Sequence, residues 1–245
     1  MKKLSILLLV CTSLMAHSQK LKGLVNKDSL SKKVKTIAGG GSGTKLTNEE
    51  VIKGLKEALS VGTNKSADAG SKADGFYKNP LIFIPWPDEA KEMKEKLLSL
   101  GFEKKINEFE MSLNRAAEEA SKKAAPVFLD AITNMSLQDG FKILKGNDTA
   151  ATNYLRSATY EPLRQKFLPI VKEAIEKVKV TSYWNPLVTS YNKIPFVKKQ
   201  NPDLEAYVTT KAINGLMLMI ANEERNIRKN PAARVSEILK KVFGN

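Results

Sequence analysis

Beyond residue 18 the chain has neither histidine nor cysteine. The single copies of each, His17 and Cys11, lie in the first 18 of 245 residues. Those residues read as a signal peptide, and its removal would leave a protein without imidazole or thiol. A Ser-His-Asp triad, a thiol nucleophile, a zinc site of the usual ligands and a haem histidine are thereby excluded from the remainder. So are disulfides, which leaves core packing as the source of stability in an oxidising compartment. Arginine is scarce as well: six of the 40 basic residues. Arg is the better bidentate reader of phosphate, so nucleic acid is the least favoured partner. No stretch after the signal approaches 18 uninterrupted apolar residues, so the processed chain is expected to be soluble.

The signal assignment rests on a short positive start, Met1-Lys2-Lys3, an apolar run over residues 4–15, and the small-x-small site Ala16-His17-Ser18. The expected address is periplasmic or secreted, with cleavage near Ser18. The alternative is a lipoprotein acylated at Cys11. It fits less well, because Val10 stands where a small residue is wanted.

The formal net charge is +14. Residues 19–45 contribute strongly, with seven lysines against Asp28, and end in Gly39-Gly40-Gly41-Ser42-Gly43. They read as a flexible basic arm and linker between the signal (1–18) and the body (46–245). The glycine run lacks the spacing of a phosphate-binding loop and follows no strand. A basic protein outside the cytoplasm meets lipid headgroups and anionic polymers, although a lysine-rich surface also serves solvation alone.

The body is patterned as helix. Thr47-Asn48-Glu49-Glu50 is a capping box, followed by Ile52, Leu55 and Leu59 at helical spacing, with Gly62 as an end or an interruption. Pro87 suits the first position of a helix running to Leu100 and stopping at Gly101. A long apolar stripe over 104–134, including Ile106, Phe109, Leu113 and Phe128, should bend or break at Pro126. Ser136 to Asp139 repeats the capping-box pattern, and Gly146 closes a short helix. A helix from Asp148 or Thr149 is expected to restart at Thr159-Tyr160-Glu161-Pro162, with a kink at Pro169. Residues 204–228 are strongly helical and their Leu216-Met217-Leu218-Met219-Ile220 run should be central. A last helix is lined by Val235, Ile238, Leu239, Val242 and Phe243. Strand-like runs occur only at 81–84 and 178–183, too little for a sheet. The expected fold is all-α, one domain of about eight to ten helices.

Residues 74–87 place Phe76, Tyr77, Leu81, Ile82, Phe83, Ile84 and Trp86 where Pro85 and Pro87 forbid a helix. A loop this apolar is buried against helices or binds something. Burial is the expected course, with Phe76 and Trp86 as the candidate apolar binding residues otherwise.

Two helices carry carboxylates in a pattern that invites chemistry. Glu110, Asn114 and Glu118 step by four, with Arg115 beside them. Glu223 and Glu224 follow the apolar run, and Arg228 lies four beyond Glu224. Inward carboxylates on two helices could hold a hard cation or form an acid/base pair. Without Glu-x-x-His the ferritin-like di-iron pattern is excluded. Solvated faces and i,i+4 ion pairs explain the same spacing. The Ser-x-x-Lys matches at Ser29/Lys32 and Ser190/Lys193 are as frequent as chance gives and lack companion motifs. No cofactor is expected.

Gly54-Leu55-Lys56-Glu57-Ala58-Leu59, Asp74-Gly75-Phe76, Asn79-Pro80, Asn114-Arg115-Ala116-Ala117-Glu118, Ala150-Ala151-Thr152-Asn153-Tyr154 and Asn230-Pro231-Ala232-Ala233-Arg234 stand in order. With them the body resembles the bacterial family known as domain of unknown function 4197. The resemblance implies a secreted or periplasmic helical domain and no activity. It also suggests that Asn114, Arg115, Glu118, Asn153, Glu223, Glu224 and Arg228 converge on one buried network, which either fixes helix packing or lines a pocket. The leading expectation is a non-enzymatic envelope protein that binds another protein, a lipid or an anionic polymer. The alternatives are a carboxylate-dependent hydrolase of an envelope polymer and an interhelical lipid binder.

Overall fold

The computed structural model describes residues 45–138 and 140–244. The expected signal peptide, almost all of the basic arm with its glycine linker, and Asp139 lie outside the described residues.

Nine α-helices and two 3-10 turns form the described body, with no strand among the described residues. In chain order the first five helices are α1 (Asn48–Gly70), α2 (Lys91–Ser99), α3 (Glu103–Ser121), α4 (Ala124–Asn134) and α5 (Gly140–Leu144). They are followed by α6 (Ala150–Lys177), α7 (Val180–Asn192), α8 (Leu204–Lys229) and α9 (Glu237–Phe243). The 3-10 turns are Asp88–Ala90 and Pro231–Ala233.

Helix α8 is the axis. It packs along α1 on one side and α6 on another, and α1 in turn carries α4 and α9. The apolar run of α8 explains this position, since Ile213, Leu216, Met217 and Ile220 are buried, while Leu218 reaches the surface. Helix α3 lies between α6 and α7 and brings Phe109, Leu113, Ala116 and Ala117 into the same core.

The helix ends follow local chemistry. At α1, the Thr47 hydroxyl accepts the Glu50 N–H at 3.2 Å and the Glu50 carboxylate accepts the Thr47 N–H at 3.1 Å. The helix passes through Gly62 without a break, because a buried glycine there lets α1 approach Ile220 and Glu223 of α8. Pro87 precedes a 3-10 turn rather than opening an α-helix, and α2 starts only at Lys91. Gly101, with φ +82°, turns the chain out of α2. The long stripe breaks between α3 and α4 at Lys122 and Lys123, which places Pro126 in the first turn of α4, where a missing N–H costs nothing.

Two further expectations are corrected. Helix α6 does not restart at Thr159: it runs unbroken through Pro162 and Pro169, with Leu155, Leu163, Phe167 and Val171 holding both sides of each proline in the core. Tertiary burial overrides the local penalty of the proline ring. Val235, expected to line the last helix, is exposed, and α9 begins after it at Glu237 with Ser236 as cap. Neither strand-like run forms a strand. At 178–183 the backbone turns through Lys179 (φ +57°) into α7, whose buried Val180, Trp184, Leu187 and Tyr191 have helical spacing.

Candidate functional site

The i,i+4 ladder of α3 faces the 74–87 loop and binds its main chain rung by rung. Glu110 accepts the Trp86 N–H at 3.0 Å and pairs with Lys94 at 2.6 Å. Asn114 is fully buried; its side-chain oxygen accepts the Ile84 N–H and its amide donates to the Ile84 carbonyl, both at 2.8 Å. One Glu118 oxygen accepts the N–H groups of Phe76 and Tyr77, each at 3.1 Å. The other accepts Arg115 Nη1 at 2.6 Å. Arg115 Nη2 reaches Asp74 at 2.6 Å, and its guanidinium lies over the Tyr77 ring at 5.6 Å. Asp74 itself sits at φ +67°. The loop has no partner strand or helical ladder of its own, so α3 side chains satisfy amides that would otherwise be buried unpaired.

Phe76, Ile82, Ile84 and Trp86 of the loop point the other way, into the core, whereas Leu81 is exposed and Tyr77 and Phe83 are partly buried, so the expected burial holds for only part of the loop. Phe76 and Ile84 are fully buried and Trp86 is 4% exposed. Trp86 stacks edge-on against Phe109 at 5.0 Å, touches Trp184 at 5.3 Å, and donates its indole N–H to the Ala90 carbonyl at 2.7 Å. Phe76 and Trp86 therefore present no apolar surface to a ligand in this structure.

A second polar knot lies at Glu224. It is fully buried and accepts four donors: the N–H groups of Ala151 (3.0 Å) and Thr152 (2.8 Å), the Thr152 hydroxyl (2.7 Å) and Arg228 Nε (2.8 Å). Ala151 and Thr152 are in the first turn of α6, where backbone N–H groups lack helical partners and the helix dipole favours an anion. Arg228 spends its remaining donors on the carbonyls of Leu144 (2.7 Å) and Ile143 (3.2 Å) at the end of α5. The pair thus joins the end of one helix to the start of the next and fixes both to α8.

The residues expected to form one network are therefore split. Glu110, Asn114, Arg115 and Glu118 serve the 74–87 loop, while Glu224 and Arg228 serve the α5–α6 junction. Glu223 pairs with Lys65 of α1 at 2.9 Å on a part-exposed face. Asn153 is exposed, and its amide reaches only Thr149, at 3.3 Å. A hollow of about 240 Å³ borders Arg115 and Glu118, together with Glu119 and Lys122. Hydrogen bonds from Lys122 and then Lys177 hold the Glu119 carboxyl below its usual range. Among the described residues no group of three or more Asp, Glu, His or Cys is placed to hold a metal ion.

A concave surface that no single segment of the sequence signals lies between α4 and α6. It is a cleft of about 370 Å³ with an apolar wall that includes Val127, Ala131, Met135 and Leu163. That volume is within the range of small-molecule sites. Pro162 is part of the wall and has no N–H to give the carbonyl of Ala158, one turn earlier and also in the wall. Lys166 and Asp130 pair at the rim, and Asn134 donates to Asp130 at 2.7 Å. The only trace of this cleft in the sequence is a proline in the middle of an apolar helical stripe.

A family model described as a protein of unknown function (DUF4197) matches residues 45–244. No curated protein and no solved structure matches the chain.

Proposed function

The chain belongs to the DUF4197 family of proteins of unknown function, and from that premise we propose that it is a non-enzymatic binding protein of the cell envelope, which takes an apolar or amphiphilic ligand in the α4–α6 cleft. The observation that carries this reading is the employment of the buried carboxylates. Glu118 and Glu224 have both oxygens occupied by protein donors. A glycosidase-type pair needs one carboxyl free to attack or to hold water and another kept protonated as acid. Glu119, the next carboxyl along, is pushed toward the charged form, opposite to what a general acid requires. The cleft, by contrast, combines apolar walls with a few polar groups at its edge, the composition of a ligand site. The envelope address rests on the N-terminal segment read from the sequence.

Native mass spectrometry of protein recovered from its own envelope tests the reading. A co-purifying apolar molecule is expected on the wild-type chain and should be missing from Ala158→Trp, which places an indole in the cleft. Equal ligand mass on both proteins, or none on either, counts against it.

A further inference from the structure

Among the described residues Phe196 is the most exposed large hydrophobic side chain, at 108% of its reference area. It sits in the connection between α7 and α8 at φ +64°, a conformation that bulky L-residues rarely adopt. The apolar residues Ile194 and Val197 on either side do not share the exposure. Ile194 and Val197 are partly buried against the core, and the Ile194 N–H is bonded to the Tyr191 carbonyl at 2.9 Å. The loop is therefore rooted on both sides of a side chain held out in water. Lys193, Lys198 and Lys199 surround Phe196 in sequence, are exposed, and form no ion pair among the described residues. From residue 177 to residue 202 the chain has five lysines and no acidic residue.

We propose that residues 193–199 are a peripheral membrane anchor, in which Phe196 enters the interfacial layer of an anionic bilayer while the three lysines meet headgroup phosphates. Interfacial binding combines apolar insertion with attraction of Lys to anionic lipid, and this loop offers both at one point. A polyanion in water would be held by the lysines alone and gives no reason for a fully exposed phenyl ring. A second copy would bring like charges together. The inference is independent of the cleft: membrane attachment and ligand capture are separate measurements, and either can fail alone.

The test is co-sedimentation of the purified protein with vesicles of phosphatidylglycerol and phosphatidylcholine in equal parts, at physiological salt, for wild type, Phe196→Ala and a Lys193/Lys198/Lys199→Gln triple variant. The lysines of residues 19–45 are common to all three and cancel in the comparison. Phe196→Ala should weaken binding about tenfold, as expected for loss of one inserted aromatic ring. The triple variant should weaken it roughly a hundredfold, at the usual contribution per lysine near an anionic surface. Because Trp86 and Trp184 are both buried, a Phe196→Trp variant gives a separate signal, and its emission should shift to the blue when vesicles are added. Unchanged partitioning of Phe196→Ala, or an unshifted Phe196→Trp spectrum, overturns the proposal. Equal loss of heparin and vesicle binding by Phe196→Ala would overturn it too, in favour of an anionic polymer.

Discussion

Glu224 in α8 accepts both the backbone N–H and the hydroxyl of Thr152, at 2.8 and 2.7 Å, in the first turn of α6. A carboxylate from one helix thus caps another, while Arg228 balances its charge. Glu224→Gln replaces one acceptor oxygen with a donor and removes the pairing charge. Breaking a buried, hydrogen-bonded ion pair of this type costs about 3 kcal/mol or more, and Thr152→Val, which deletes only the hydroxyl bond, about 1 kcal/mol. Urea unfolding of the two variants checks the ranking; a Glu224→Gln protein as stable as wild type would show that the cap does not hold the fold together.

The α3 ladder makes a local prediction. Asn114→Ala leaves the Ile84 N–H and carbonyl without partners, and Glu118→Gln weakens the bonds to Phe76 and Tyr77. Hydrogen exchange should accelerate at residue 84 in the first variant and at residues 76 and 77 in the second, with global destabilisation of about 2 kcal/mol. Exchange confined to helix ends, with the loop amides still protected, would mean that packing of Trp86 and Phe76 holds the loop without the ladder.

Much of this was legible in the sequence. The capping box at Thr47, the all-α class, the central apolar run of α8 and the i,i+4 spacing of Glu110, Asn114 and Glu118 are all local patterns, and local patterns survive folding. What a local reading could not supply was the partner of each side chain. The ladder and the Glu224–Arg228 pair looked alike as charge patterns, yet one binds a loop 24 to 42 residues earlier and the other a helix start some 72 residues earlier. The prolines misled for a related reason: Pro162 has the local signature of a helix start, but buried residues before and after it keep α6 continuous. The cleft depends on two helices lying side by side, which no single segment encodes.

Acid should loosen the Asp74 corner. Hydrogen bonds from Lys78 and then Arg115 hold the Asp74 carboxyl below its usual range. Because folding lowers this pKa, the associated stability is complete above the unfolded value of about 3.9 and is lost as pH falls through the lower folded value. Glu50, Glu119, Asp130 and Asp148 are lowered by lysine partners in the same sense. Thermal midpoints should therefore be flat near neutrality and decline below about pH 4 to 5. Asp74→Asn, which tolerates a positive φ, should be less stable near neutrality and show a shallower acid decline. A parallel decline in both proteins would remove Asp74 from the account.

Gly54 provides a packing test at the other end of the molecule. A Cβ at this position of α1 would lie 2.6 Å from Val242 Cγ2 on α9. Gly54→Ala should destabilise by about 1 to 3 kcal/mol through overpacking, and Val242→Ala introduced with it should recover part of that loss. Additive losses in the double variant would show that the two residues are not in contact.

If the buried glutamates maintain the fold while the α4–α6 cleft binds, stability and ligand capture separate by residue. The most direct measurement is a titration of a fluorescent long-chain fatty-acid analogue, run beside thermal unfolding, on Glu118→Gln, Glu224→Gln and Ala158→Trp. Opposite signatures are expected. Both glutamine variants should melt earlier and bind the probe with wild-type affinity while folded, and Ala158→Trp should melt normally and lose the probe. A glutamine variant that keeps its stability but loses binding or a hydrolytic activity would contradict this separation.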